Sequence, residues 1–128
     1  MSDVFVRDIM IRNVRTIRSE EKIALARLTM LRHGVGALPV VKEDRTLIGI
    51  LTLRDIDFAG RDIMDLPVID LMTKENVITA TEETNLSQVA DIIIKTGLHR
   101  IPVVDSEGKL LGLVTQSVVI RGYRFLIK

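Results

Sequence analysis

The stretch Gly34-Val-Gly-Ala-Leu-Pro39-Val40-Val41 returns 63 residues later as Gly97-Leu-His-Arg-Ile-Pro102-Val103-Val104. At the same offset Leu47-Ile-Gly49-Ile-Leu-Thr52 meets Leu110-Leu-Gly112-Leu-Val-Thr115, so seven of the 19 positions in 34–52 match 97–115. Ordinary composition would give about one or two. Upstream, Val14 and Thr16 match Val77 and Thr79, and Val6-Arg-Asp-Ile-Met10 resembles Val68-Ile-Asp-Leu-Met72 at an offset of 62. The chain is two copies of one unit of about 60 residues.

The periodicities inside each copy follow one order. Val14–Ile17 and Val77–Ala80 are short β-type runs. Leu86, Val89, Ala90, Ile93 and Ile94 then fall on one helix face. The first copy has Ile23, Ala26, Arg27, Met30 and Leu31 at those places, with Arg27 at a core position. Ser19 and Thr84 are candidate N-caps, and Gly34 and Gly97 stand where a left-handed C-cap is needed. A strand opening at Pro39 or Pro102 comes next. A polar turn and a second strand ending at Thr52 or Thr115 follow, and a short helix begins near Asp55 or Val118. Each copy reads β-α-β-β-α, its last two strands forming a hairpin. Arg61–Pro67 reads as an amphipathic linker helix.

Composition removes whole classes of function. The 128 residues include no Cys and no Trp. Disulfides, thiolate zinc sites and cysteine nucleophiles are therefore excluded. Four aromatics (Phe5, Phe58, Tyr123 and Phe125) are too few for a base-stacking platform. With 18 Lys and Arg against 17 Asp and Glu, no charged surface large enough for nucleic acid or membrane is expected. No apolar run approaches a membrane span, and Met1–Arg7 lacks a signal pattern. Two histidines at unrelated repeat positions, His33 and His99, argue against a metal site. Nucleophile elbows and Gly-x4-Gly-Lys loops are absent. The expectation is a cytoplasmic, non-enzymatic domain that requires no cofactor.

The duplicated Gly-x3–4-Pro-Val-Val and Gly-x-x-Thr segments, with Asp8-Ile-Met10 and Asp70-Leu-Met72-Thr73 ahead of them, resemble tandem cystathionine β-synthase (CBS) domains arranged as a Bateman module. The resemblance covers roughly Val6 to Ile120. It implies an α+β fold of two pseudo-symmetric β-α-β-β-α repeats packed through their sheets. On this reading residues 1–60 form the first repeat with an N-terminal segment, 61–67 a linker, 68–121 the second repeat and 122–128 a tail that packs on the core or on a partner. It also implies a regulatory module that binds adenosine-containing ligands between paired repeats and dimerises.

The family's nucleotide motif, Gly-x-x-Thr-x-x-Asp, is intact in the first copy as Gly49-Ile-Leu-Thr52-Leu-Arg54-Asp55. An ionised carboxylate can accept from both vicinal ribose hydroxyls, and a threonine hydroxyl can donate to a phosphate. Taken by itself, Asp55 also suits a plain helix N-cap. The second copy has Val118 where the carboxylate is expected, so its own cleft should be weak, empty or differently used. It offers instead Leu98-His99-Arg100, which resembles the His-Arg phosphate motif in the γ subunit of AMP-activated protein kinase. Carried over residue by residue, the resemblance gives one good cleft. Thr52, Arg54 and Asp55 come from copy one, and Thr84, Val89, His99, Arg100 and Ile101 from copy two, with Val89 and Ile101 against the adenine. Arg100 grips phosphate with its planar fork, and a protonated His99 strengthens that grip. Alternatives remain for both: a surface salt bridge for Arg100, and a loop imidazole capping a backbone group for His99.

The expected ligand is AMP, ADP or ATP, with magnesium only alongside a polyphosphate. S-adenosylmethionine is disfavoured because Arg100 repels a sulfonium. Leu25, Leu28 and Ile92 lie off the main apolar faces and suggest a homodimer; a protein target would receive the signal. The competing reading is a dimeric adaptor of the same fold without a physiological ligand.

Overall fold

A computed structural model describes residues 3–126. In chain order the elements are α1 (Val6–Ile9), β1 (Ile17–Arg18), α2 (Ile23–His33), β2 (Ala37–Val41), β3 (Leu47–Thr52), α3 (Leu53–Ala59), α4 (Leu86–Thr96), β4 (Arg100–Val104), β5 (Leu110–Thr115) and α5 (Gln116–Leu126). Two 3₁₀ turns, Arg61–Ile63 and Val68–Asp70, lie between α3 and α4. The fold is mixed α/β, and the chain divides into two compact units. One is Arg15–Val77; the other gathers the chain on both sides of it.

In the Arg15–Val77 unit the strands run in the order β1-β2-β3. β1 is parallel to β2 (Ile17 opposite Val40), and β2 is antiparallel to β3 (Ala37 opposite Thr52). The outer edge of β3 takes one more partner. Thr73 exchanges both backbone hydrogen bonds with Ile50, at 2.8 and 2.9 Å. The other unit repeats the order with shorter flanks. Ala80 bridges β4 in parallel, β4 pairs with β5, and Ile11 bridges β5 at Leu113. Each segment that introduces a copy in the sequence therefore packs on the strands of the other copy: Asp8-Ile-Met10 with β5, and Asp70-Leu-Met72 with β3.

Backbone chemistry explains the short first strands. Val104 N–H donates to the Ala80 carbonyl, and Ala80 N–H to the Pro102 carbonyl, both at 2.9 Å. Amides alternate along a strand, so the next one on that edge is Pro102's, which has no hydrogen. The parallel pairing stops there. The two prolines are thus third in their strands and not first, placed where the missing donor has no strand partner to disappoint.

Helix starts differ from the expected caps. α2 begins after Lys22 with no side-chain cap. Its first amides, Ile23 and Ala24, instead donate to the Leu66 and Met64 carbonyls at 2.9 and 3.0 Å. Two linker carbonyls are thus committed to α2, and 61–67 holds the 3₁₀ turn Arg61–Ile63 in place of the amphipathic helix expected of it. Ser19 sits outside the helix and bonds weakly to Glu20. At α4 the cap is Asn85, one residue past Thr84, in a reciprocal box with Gln88. Gly34 and Gly97 do close their helices in left-handed geometry, at φ 65° and 72°.

Each unit has its own aliphatic core. Ile23, Met30, Leu38, Leu51 and Ile56 are fully buried in one. Val6, Val89, Ile101, Val103 and Val114 are fully buried in the other. Two positions assigned to apolar faces are outside these cores: Ile94 is 78% exposed and Leu31 52%. Both lie on a helix flank that borders the next helix of their unit, α5 for Ile94 and α3 for Leu31. Ile92, expected at a second surface, packs against the core. Arg27 likewise leaves the core and pairs with Asp57 at 3.5 Å. Residues 122–126 are no separate tail but the end of α5, and Gly122 lets that helix approach Leu86 and Ile9. Ile127 and Lys128 lie outside the described residues.

The strand glycines are required by the edge crossings. A Cβ at Gly49 would stand 2.7 Å from the Thr73 carbonyl oxygen, and one at Gly112 2.5 Å from that of Ile11. Backbone cannot yield as a side-chain tip can. Gly49→Ala and Gly112→Ala should each destabilise the fold by about 1–3 kcal/mol, measured by urea unfolding with circular dichroism. Midpoints equal to the wild type would mean that the crossings do not constrain the sheet.

Candidate functional site

In the Arg15–Val77 unit, β3 passes into α3 with no loop. The Thr52 hydroxyl accepts a hydrogen bond from the Asp55 N–H at 3.1 Å, so Thr52 is the N-cap and Asp55 stands in the first turn. The capping oxygen belongs to the threonine, and Asp55 retains the structural alternative of an acidic first-turn residue favoured by the helix dipole. The Asp55 carboxylate is half-buried and has no hydrogen-bond or ion-pair partner among the described residues. Arg54 beside it is exposed and equally unpaired. Opposite Thr52 stands Ala37, preceded by Gly36, whose carbonyl accepts from the Leu53 N–H at 2.9 Å.

The second unit builds the same corner from different side chains. Thr115 caps α5, accepting from the Val118 N–H at 3.3 Å. Val118 itself is 6% exposed and belongs to the core, so this helix start presents no carboxylate. Opposite Thr115 stands Arg100, with side chains of paired residues sharing a sheet face. Its guanidinium is half-buried and has no carboxylate within ion-pair distance among the described residues. The salt-bridge alternative therefore finds no partner there. His99 is exposed; its carbonyl accepts from the Gln116 N–H at 3.1 Å, while its imidazole caps no backbone group among the described residues.

The remaining expected residues separate from this corner. The Thr84 hydroxyl closes a local turn by accepting from the Thr81 N–H at 3.1 Å. No hydrogen bond among the described residues joins it to His99 or Arg100. Val89 and Ile101 are 0% exposed, within the aliphatic core of their unit. Packing fully accounts for both, and neither offers surface to a ligand. Among the described residues no group of three or more acidic or histidine side chains is arranged to hold a metal ion. Nor is any helix long and apolar enough to cross a membrane.

What the corners can do chemically is now distinct. Both carry a capping threonine hydroxyl; one adds a carboxylate and an arginine, the other an arginine and an imidazole. Sequence reasoning missed the Gln116 contact to this turn. Its signal was a polar residue where the first copy has Leu53.

The CBS domain family model matches residues 6–64 and again 68–124. The chain belongs to the CBS domain family as a tandem pair. Among solved structures it is similar to CBSX2 of Arabidopsis thaliana in complex with AMP, at a TM-score of 0.88 and 26% identity, covering 98% of this chain and 99% of that one. It is similar also to the CBS domain pair of protein MJ0100 in complex with 5-methylthioadenosine and S-adenosyl-L-methionine, at a TM-score of 0.84 and 30% identity over 98% and 99% of the two chains. The inosine-5'-monophosphate dehydrogenase of Aquifex aeolicus is 37% identical over 116 residues, 91% of this chain. The chain spans 24% of that enzyme's length, about a quarter.

The cap assignment is directly measurable. Thr52→Ala should cost about 0.5–2 kcal/mol of stability, whereas Thr52→Ser, which keeps the accepting oxygen, should retain most of it. Equal urea midpoints for the two variants would remove the hydroxyl from its capping role.

Proposed function

We propose that this CBS pair is a regulatory module that senses a phosphorylated adenosine nucleotide, AMP, ADP or ATP, with residues of both repeats engaging one ligand. Asp55 accepts from the ribose hydroxyls, Thr52 and Arg54 assist at the same end, and His99 and Arg100 take the phosphate. Thr84 contributes a hydroxyl. The observation that carries this reading is the unpaired half-buried charge. Asp55 and Arg100 are each half-buried and their side chains have no hydrogen-bond or ion-pair partner among the described residues, so both charges are available to a ligand. That both serve the same nucleotide rests on the resemblance to the family motif.

The CBSX2 complex with AMP supports the ligand class. The MJ0100 complex supports S-adenosyl-L-methionine as the competitor, against which the Arg100 cation weighs by repelling a sulfonium. Magnesium enters only with a polyphosphate. The module performs no chemistry of its own and reports, in the cytoplasm, to a protein target. The adaptor alternative is favoured by Val118 and by the asymmetry of the two copies, since one repeat has a core valine at the position expected to bind ribose.

Calorimetric titration of AMP, ADP, ATP and S-adenosyl-L-methionine decides the ligand. A phosphorylated adenosine should bind with Kd below about 1 mM, and Asp55→Ala should weaken it about ten- to hundred-fold, the loss expected for a charge-assisted hydrogen bond. Absence of binding by any of the four would favour the adaptor, and an unchanged Kd for Asp55→Ala would refute the site.

We propose in addition that the chain forms a homodimer through exposed helix flanks. Ile94, Ile120 and Tyr123 border a groove of about 250 Å³ in one unit, and Leu28 and Leu31 border one of about 580 Å³ in the other. Sedimentation velocity should show a dimer that Ile120→Glu converts to monomer; a wild-type monomer throughout the concentration series would exclude it.

A further inference from the structure

Gly97 ends α4 in left-handed geometry, and only Leu98 and His99 separate it from β4. Leu98 N–H donates to the Thr96 hydroxyl at 3.2 Å, a bond local to the turn. The turn is also held from α5 by two donors of one residue. The Gln116 backbone N–H donates to the His99 carbonyl at 3.1 Å, and the Gln116 side-chain amide donates to the Leu98 carbonyl at 3.2 Å.

Comparison within the chain separates the two bonds. In the first repeat the residue at this position is Leu53. Its backbone N–H makes the corresponding bond to Gly36 at 2.9 Å, and its side chain has no donor. The backbone bond is common to both repeats and belongs to the fold. The side-chain bond occurs only where the turn carries an imidazole and a guanidinium, and not where it carries Gly36-Ala37. Gln116 also keeps its side chain half-exposed at the first position of a helix, where an apolar residue serves the fold equally well in the other copy.

We infer that Gln116 is a positioning residue: its side-chain amide fixes the Leu98-His99 turn so that His99 and Arg100 face a phosphate together. The inference rests on the reading above that these two residues engage phosphate. Loss of the amide then weakens phosphate recognition selectively, because the Gln116 side chain bonds to the Leu98-His99 turn and not to Asp55, the residue assigned to the ribose.

The test uses Gln116→Leu, the residue of the first repeat, and Gln116→Met, which keeps the length without a donor. AMP and adenosine are titrated into each by calorimetry, and amide hydrogen exchange is recorded on the ligand-free proteins. Both variants should bind AMP about three- to ten-fold more weakly, as for loss of one neutral hydrogen bond. Adenosine affinity should be unchanged, and exchange at Leu98–Arg100 should quicken. Unchanged AMP binding, or equal weakening of AMP and adenosine, would overturn the inference. If the wild type binds AMP no better than adenosine, the phosphate reading itself has failed. Hydrogen exchange then decides the clasp alone: faster exchange at the turn supports it and unchanged exchange overturns it.

Discussion

A threonine hydroxyl that turns a strand into a helix is the constraint on which the rest of this molecule depends. Thr52 and Thr115 each end a strand and cap the helix that follows, so no loop intervenes. The hairpin register then sets Ala37 opposite one threonine and Arg100 opposite the other. Four positions per repeat are thereby fixed at one corner: one just before the first hairpin strand, one opening that strand and two in the first helical turn. Substitutions there change chemistry without moving backbone, because the cap, the register and the strand glycine remain.

The two copies have used that freedom in opposite directions. The first keeps a carboxylate on its helix and presents only Gly36-Ala37 on its turn. The second buries Val118 in its core and places His99 and Arg100 on the turn. The two corners therefore offer a ligand different chemistry, a carboxylate at one and cationic side chains at the other. With 18 Lys and Arg against 17 Asp and Glu, any charge the chain offers a ligand is local and not that of the whole.

The parts of this fold that were legible in the sequence are those set by local chemistry. Left-handed glycines, the hairpin strands and the buried stripe from Leu86 to Ile93 depend on neighbours within a few residues. The parts that were not legible depend on distant backbone. No pattern near Lys22 announces that carbonyls of Met64 and Leu66 will cap α2, and none near Gly112 announces Ile11 crossing above it. Ile94 and Ile92 show the same limit on a helix face. Both lie well off the stripe's centre, and which of them is covered depends on what packs beside them. At the site, the charged candidates come from their motif, and the structure leaves the Asp55 and Arg100 side chains without a partner among the described residues. Val89 and Ile101 are core residues in the structure, and an apolar residue in a motif reads the same whether it lines a pocket or a core.

The central claim is that Asp55 and the His99–Arg100 pair serve one ligand. Its most direct measurement is a two-dimensional ¹⁵N–¹H titration of the protein with AMP. The account predicts that the Asp55, His99 and Arg100 amides shift together along curves that fit a single Kd. Movement of one corner alone, or two unrelated Kd values, would contradict it.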